Sequence, residues 1–224
     1  MNKTDSVELQ KWQDVKNRLG QANIALGPYF SYQLTHTPRR VLFSLSHYKF
    51  AAKLIGEGKK VLEVGCSEGL GTVFIAENAK EVVAIDIDMD AIAIADKNFA
   101  SPKIKFMHQD ILEAKIDLFD AIVSYDVLEH IFPENEALFF TALCNNLSSF
   151  GICIIGTPNL AADCYSSEIS RLGHVNVFDW ERLKTTMEQY FHQVFIFSAN
   201  DEVIHTGFYP MAHYLIAVAV CKKN

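Results

Sequence analysis

Lys60-Val61-Leu62-Glu63-Val64-Gly65-Cys66-Ser67-Glu68-Gly69-Leu70-Gly71 is the stretch on which the reading of the chain turns. Lys60 to Val64 is a short apolar run stopped by a glycine, the pattern of a strand buried on both faces. The glycines after it let the backbone turn sharply and pass close to a ligand. Helix-like sequence follows over 70–79. Working outward, Val82 to Ile85 reads as a second buried strand and Met89 to Phe99 as a helix. Ile104 to Met107 and Phe119 to Tyr125 are further strands, Glu134 to Leu147 a helix, and Ile152 to Gly156 a fifth strand. After a loop over 157–178, Asp179 is placed to cap a helix running to about Tyr190, and strands over 192–198 and 212–221 close the chain. Strands alternating with helices imply a parallel sheet covered on both faces. The connection between the last two strands has no helical period, so the last strand is expected antiparallel. The fold class is α/β, with seven strands, mostly parallel.

Upstream, residues 5–20 have helical spacing of Val7, Trp12, Val15 and Leu19, with Asp5 or Ser6 as cap. Residues 21–38 hold Gly27, Pro28 and Pro38 and read as a loop or lid, and 40–57 as a second helix ended by Gly56 and Gly58. The expected organisation is a helical extension over 1–40 and one catalytic domain over 41–224. The 224 residues fit that count, and their 50% apolar and 21% charged content is globular.

The net charge is −7, and the longest basic clusters are pairs such as Arg39-Arg40, which argues against nucleic acid as a partner. The five cysteines are odd in number and include no C-x-x-C, so neither a disulfide framework nor a thiolate zinc site is implied. The first residues show no signal-peptide core, and the longest apolar run, Tyr214 to Cys221, is too short for membrane insertion. A cytoplasmic chain is expected.

Three carboxylates stand at strand ends: Glu63, Asp86 and Asp110. In open α/β sheets ligands bind at the carboxyl ends of the strands, and an acid ending the second strand accepts from ribose hydroxyls. The turn reads G-x-x-x-G-x-G, not the dinucleotide pattern G-x-G-x-x-G. A pyrophosphate also prefers helix amides without nearby carboxylates, whereas Glu63 and Glu68 crowd this turn. Acids suit a ligand bearing a sulfonium and an ammonium, such as S-adenosylmethionine.

At these residues the sequence resembles the class I S-adenosylmethionine-dependent methyltransferases, and with them a Rossmann-like sheet. Val61 to Gly71 is similar to their first motif, Val82 to Asp86 to the acidic end of the second strand, and His108-Gln109-Asp110-Ile111 to the third motif. Asp120 to Ile131, DAIVSYDVLEHI, resembles a fourth-strand signature of the ubiquinone-biosynthesis-like branch, and Gly151 to Asn159 the fifth strand. Gly173-His174-Val175-Asn176 resembles a substrate-side loop, and RRVLFSLSHYKFAAKLI is similar to methyltransferases of bacterial polysaccharide pathways. Ser67 departs from the pattern where a glycine is usual; a serine costs little there if φ stays negative.

The resemblance implies roles. Glu63 anchors the turn and faces the methionine amino end, Gly65 and Cys66 pass beside the cofactor, and Asp86 holds the ribose. Ile87 packs on adenine, Asp110 accepts from its amine, and Ile111 offers a backbone contact. Tyr125 lies near the sulfonium, and Tyr48, with Tyr32, His47 and Lys49, is a candidate for the methionine carboxylate.

For transfer to a hydroxyl, an acceptor must be aligned and lose a proton, and histidine has a suitable pKa. His130, after the fourth strand, and His174, after the fifth, are the catalytic candidates; His36, His108, His192, His205 and His213 read as structural or surface by default, with His205, in the late-strand connection, placed to contact acceptor. Asp126, Glu129 and His130 form an i, i+3, i+4 set that some similar quinone methyltransferases use for a cation, but the expectation is no metal, with DVLEH packing the next helix. Asn-Pro-Pro-aromatic, typical of amino-methylating enzymes, is absent. Phe30, Tyr32, Phe43, Phe178, Trp180, Phe208 and Tyr209 are candidates to line an acceptor pocket. The expected activity is O-methylation of a small-molecule acceptor, a sugar or surface-glycan precursor or a quinone-like phenol, in a chain able to form a homodimer. The alternatives are a non-catalytic cofactor-binding partner protein and a nicotinamide oxidoreductase.

Overall fold

The computed structural model describes residues 7–20 and 23–223, so the capping Asp5 or Ser6 lies outside the described residues. Eight strands form one sheet: β1 (Lys60–Val64), β2 (Glu81–Asp86), β3 (Ile104–His108), β4 (Phe119–Tyr125), β5 (Leu147–Pro158), β6 (Phe191–Asn200), β7 (Val203–His205) and β8 (Tyr214–Lys222). Their order is β3-β2-β1-β4-β5-β8-β6-β7. The first five pair in parallel, and β8 runs antiparallel between β5 and β6. The seven strands expected from the sequence are present. The eighth, β7, folds back on β6 inside the connection read as irregular; at three residues it is too short to carry a period-2 signal.

The helices are α1 (Val7–Leu19), α2 (Pro28–His36), α3 (Pro38–Ile55), α4 (Thr72–Ala76), α5 (Met89–Phe99), α6 (Glu136–Asn146), α7 (Glu168–Gly173) and α8 (Trp180–Met187). Alternate residues of β1 explain the two layers. Val61 packs with Ala51, Ile55, Ile75 and Ile92 of α3, α4 and α5, while Leu62 and Val64 pack with Phe139, Phe140, Leu143, Leu183 and Met187 of α6 and α8. The crossovers therefore leave β1 and β4 toward opposite faces, and a crevice opens between their carboxyl ends.

The segment expected as a loop over 21–38 contains helix α2. Pro28 sits at its first position, where the missing N–H costs nothing, and the next two amides, of Tyr29 and Phe30, donate to the Glu68 carboxylate at 2.8 and 3.2 Å. Helix α3 starts at Pro38, so the boundary expected at residue 40 falls within its first turn. Among the described residues no helix is long and apolar enough to cross a membrane.

Phe119 and Phe139 are fully buried in the layer beneath α6. Phe139→Ala is expected to lower stability by about 3–5 kcal/mol, read from urea denaturation; a loss under about 1 kcal/mol would show that this layer repacks freely.

Candidate active site

A cavity of about 1050 Å³ opens over the carboxyl ends of β1, β2, β3 and β4. Pockets for one small ligand run to roughly 300–1,000 Å³, so this cavity lies at the top of that range. Gly65, Cys66, Asp86, Ile87, Asp110, Ile111, Tyr125 and Tyr48 all line it, and so do His130 and His174.

The turn is built for close approach. Gly65 has φ +82°, and a Cβ there would stand 2.1 Å from Val127 Cγ2. Its amide and that of Cys66 both donate to the Ile85 carbonyl, tying the turn to β2. Ser67 has φ +48°, so the condition under which a serine costs little there, a negative φ, is not met. The left-handed conformation costs a serine about 1–2 kcal/mol, and the turn is held because Ser67 N donates to Asp86 Oδ2 at 2.8 Å. Asp86 Oδ1 accepts from Asp88 N at 2.9 Å. The carboxylate is thus fixed by two amides, with lone pairs left toward the cavity. Asp110 Oδ1 accepts from Leu112 N at 2.8 Å.

The other acids of the turn point elsewhere. Glu68, read as crowding a cationic ligand, is buried and spends its carboxylate on the start of α2. Gly27 makes that contact possible, since a Cβ on it would stand 2.4 Å from Glu68 Oε1. Glu63 is buried on the α3 side of β1 and is not among the residues facing the cavity. An odd position on a strand whose even positions face α6 must point there. Neither Glu63 oxygen has a hydrogen bond of good geometry. Burial pushes its carboxyl up to about 7; the neighbouring hydroxyls of Thr72 and Tyr48 oppose the shift and Asp86 adds to it. Burial also pushes the Cys66 thiol up, so it stays protonated.

Tyr48 closes the turn from α3: a Cβ on Gly71 would stand 2.2 Å from its ring, which meets Tyr125 edge-on at 5.2 Å. Tyr125 Oη donates to the His47 carbonyl at 2.9 Å. His47 itself is buried, stacked on Tyr214, and burial lowers its pKa to about 3. Lys49 and Tyr32 are exposed and outside the cavity, with Tyr32 stacked on His36. Of the aromatic candidates, Phe30 and Phe43 line the cavity. Phe178 is core, Trp180 stacks on Tyr209, and Phe208 lies on the surface away from it.

The far half of the cavity is where sequence reasoning missed most. Asp126 adopts φ +55°, and its amide donates to Tyr214 Oη at 3.2 Å. Arg39, Arg40, Asp126 and His213 all line the wall. Among the described residues Asp126 does not join Glu129 and His130 in a donor cluster. Leu128–His130 is a single 3-10 turn, and Glu129 and His130 meet His174, with one donor atom from each lying within 4.8 Å of the others. The rings of His130 and His174 are 5.3 Å apart. Burial, then the neighbouring His130, lowers the His174 pKa, so its imidazole is neutral at pH 7.

With this geometry in place, comparison gives the class. Residues 61–151 match the family described as "Methyltransferase domain". A probable S-adenosylmethionine-dependent methyltransferase of Mycobacterium tuberculosis is 31% identical over 103 residues, 45% of this chain and 36% of its own. The chain thus spans about a third of that relative's length. A ubiquinone biosynthesis O-methyltransferase of Burkholderia multivorans is 25% identical over 179 residues, covering 72% of this chain and 73% of its own. Among solved structures, the N-methyltransferase NodS from Bradyrhizobium japonicum WM9, in complex with S-adenosyl-L-homocysteine, superposes with a TM-score of 0.60 at 23% identity, over 82% of this chain and 86% of that one. The match over 61–151 and the shared sheet make this chain similar to S-adenosylmethionine-dependent methyltransferases, in sequence over that stretch and in fold beyond it.

Glu63 supplies a pH test. Its folded pKa of about 7 lies above the ordinary value of 4.5, so the folded state holds this proton more tightly than the unfolded one. Stability is greatest below about pH 4.5 and falls as pH rises to about 7 on this account. Glu63→Gln is expected to flatten that slope in urea denaturation series from pH 5 to 8; an unchanged slope would contradict it.

Proposed function

We propose that the chain transfers a methyl group from S-adenosylmethionine to an oxygen of a small-molecule acceptor. The observation that carries this reading is the single cavity running from Asp86 and Asp110 at one end to His130 and His174 at the other. The residues fit the donor: the glycine cradle at Gly65 has no room for a side chain, and two amides hold Asp86 ready for a ribose. The donor supplies a methyl already activated on a cationic sulfur. Asp86 accepts from the ribose, exposed Ile87 covers the adenine, and Asp110 with the backbone of Ile111 reads its edge. Gly65 and Cys66 pass beneath the methionine portion, with Tyr48 and Tyr125 as its wall.

The chain's part in transfer is alignment and proton removal. His174, held neutral, and His130 seat the acceptor hydroxyl and take its proton as the oxygen–carbon bond forms. The carbon–sulfur bond breaks, and its electron pair stays on sulfur. Arg39, Arg40, Ser166, Ser167 and Ser170 among the lining residues can hydrogen-bond a sugar-type acceptor, and Phe30, Phe43 and Phe132 can pack on a quinone-like phenol. Similarity to the ubiquinone O-methyltransferase supports oxygen as the methylated atom. The five free cysteines accord with a cytoplasmic site of action.

Two measurements test the reading. Transfer of labelled methyl to a panel of nucleotide sugars, free glycosides, catechols and primary amines is expected to show an O-methyl product, and transfer only to the amines would overturn the assignment. Asp86→Ala is expected to weaken S-adenosylhomocysteine binding by about 1–3 kcal/mol, roughly 5- to 150-fold, by calorimetry. Unchanged affinity would remove Asp86 from the site.

A further inference from the structure

Glu129 is 1% exposed, yet its Oε1 has no hydrogen-bond partner, while Oε2 accepts from Thr157 Oγ1 at 3.0 Å. A buried, half-satisfied carboxylate is costly unless something completes it. Two imidazoles stand beside it, with donor atoms within 4.8 Å. His130 Nδ1 lies 2.8 Å from the Gly173 carbonyl and must donate to it, which leaves its Nε2 lone pair free. His174 Nδ1 is likewise buried without a partner. The loop that carries His174 is stitched to the turn that carries the other two: Val175 N and Asn176 N both donate to the Glu129 carbonyl. The three groups come from two separate parts of the chain and are held together without any contact among their own donor atoms.

We propose that Glu129, His130 and His174 form a binding site for one divalent transition-metal ion. Two imidazoles and one carboxylate suit a zinc-like ion and fit magnesium or calcium poorly, since those take oxygen ligands. Ligands about 2.0–2.1 Å from a tetrahedral zinc require each donor to move inward by at most about 0.8 Å from a triangle of 4.8 Å sides, a small side-chain adjustment. Thr157 and the Gly173 carbonyl are positioning groups, the first orienting the carboxylate and the second fixing the His130 tautomer. Three protein ligands leave a coordination position open toward the cavity, where an acceptor oxygen binds. A hydroxyl bound there is more acidic, and its proton passes to the Asp126 carboxylate on the same wall. The imidazoles are then ligands, not bases. This keeps the donor, the acceptor and the site of the proposed reading but replaces the histidines as its bases; it rests on that reading for the role of the ion, but not for its binding.

The test separates the two. Protein stripped with a chelator is titrated with Zn²⁺, Co²⁺ and Mg²⁺ by calorimetry, and the Co²⁺ form is examined by visible absorption. One equivalent of Zn²⁺ or Co²⁺ is expected, with Mg²⁺ far weaker and a Co²⁺ spectrum without thiolate bands. Glu129→Gln and His174→Ala are each expected to lose about 100-fold or more in Zn²⁺ affinity and Thr157→Val about 10-fold. Asp126→Asn is expected to stay within about 10-fold, because it removes a nearby charge and not a ligand. S-adenosylhomocysteine affinity serves as the check that each variant is folded. Absence of stoichiometric binding in the wild type, or wild-type affinity in His174→Ala, would overturn the site; methyl transfer would then stand on the histidines as bases. Metal binding with no transfer to any acceptor would instead sink the functional reading and leave the site standing.

Discussion

The parallel pairing of β1 with β4 is the constraint on which the rest depends. Val61 to Val64 lie beside Ala121 to Ser124 in one register, so both strands end at the same level and in the same direction. The crossovers on either side leave toward opposite faces, and among the described residues a cavity lies above the two ends. Each strand along that edge then releases its chain into a turn, and the turns bring Gly65, Asp86, Asp110 and Asp126 around one cavity. The antiparallel β8 does not break the arrangement. It supplies Tyr214 beside Asp126 and walls the far end.

Within that frame the acidic residues divide by what the fold lets them reach. Asp86, held by amides, stands at the cavity edge. Glu68 turns away to start α2, and through Gly27 it fixes where Tyr29, Phe30 and Gln33 meet the cavity. Glu63 is locked beneath Tyr48, where burial raises its pKa. Three carboxylates within a short stretch of sequence and its strand neighbour thus do three different jobs. A count of negative charge in the turn does not distinguish them, because burial and amide donors decide which of them a ligand meets.

The elements were legible wherever a period ran long enough. The first four strands, α3, α5 and α8 fall close to their expected bounds, because buried parallel strands read as apolar blocks and amphipathic helices as stripes, whereas β5 begins at Leu147, well before the expected Ile152. Helix α2 was hidden because its anchor is a side chain far along the chain, and β7 because it is too brief. The serine at 67 was visible as a departure, but its positive φ was not; that angle follows from its bond to Asp86, a tertiary contact.

By itself the amino-acid sequence determined the class of fold, the glycine turn and the strand-end acids, since these rest on local periodicity and on residue types with one dominant backbone or chemical use. Only the tertiary structure decided that His174 joins Glu129 and His130 while Asp126 stands apart. It also decided that Glu68 serves a helix and that Arg40 and His213 face the cavity. The physical reason is that donor distances and burial depend on how loops from distant strands pack over one edge, and no spacing along the chain encodes that.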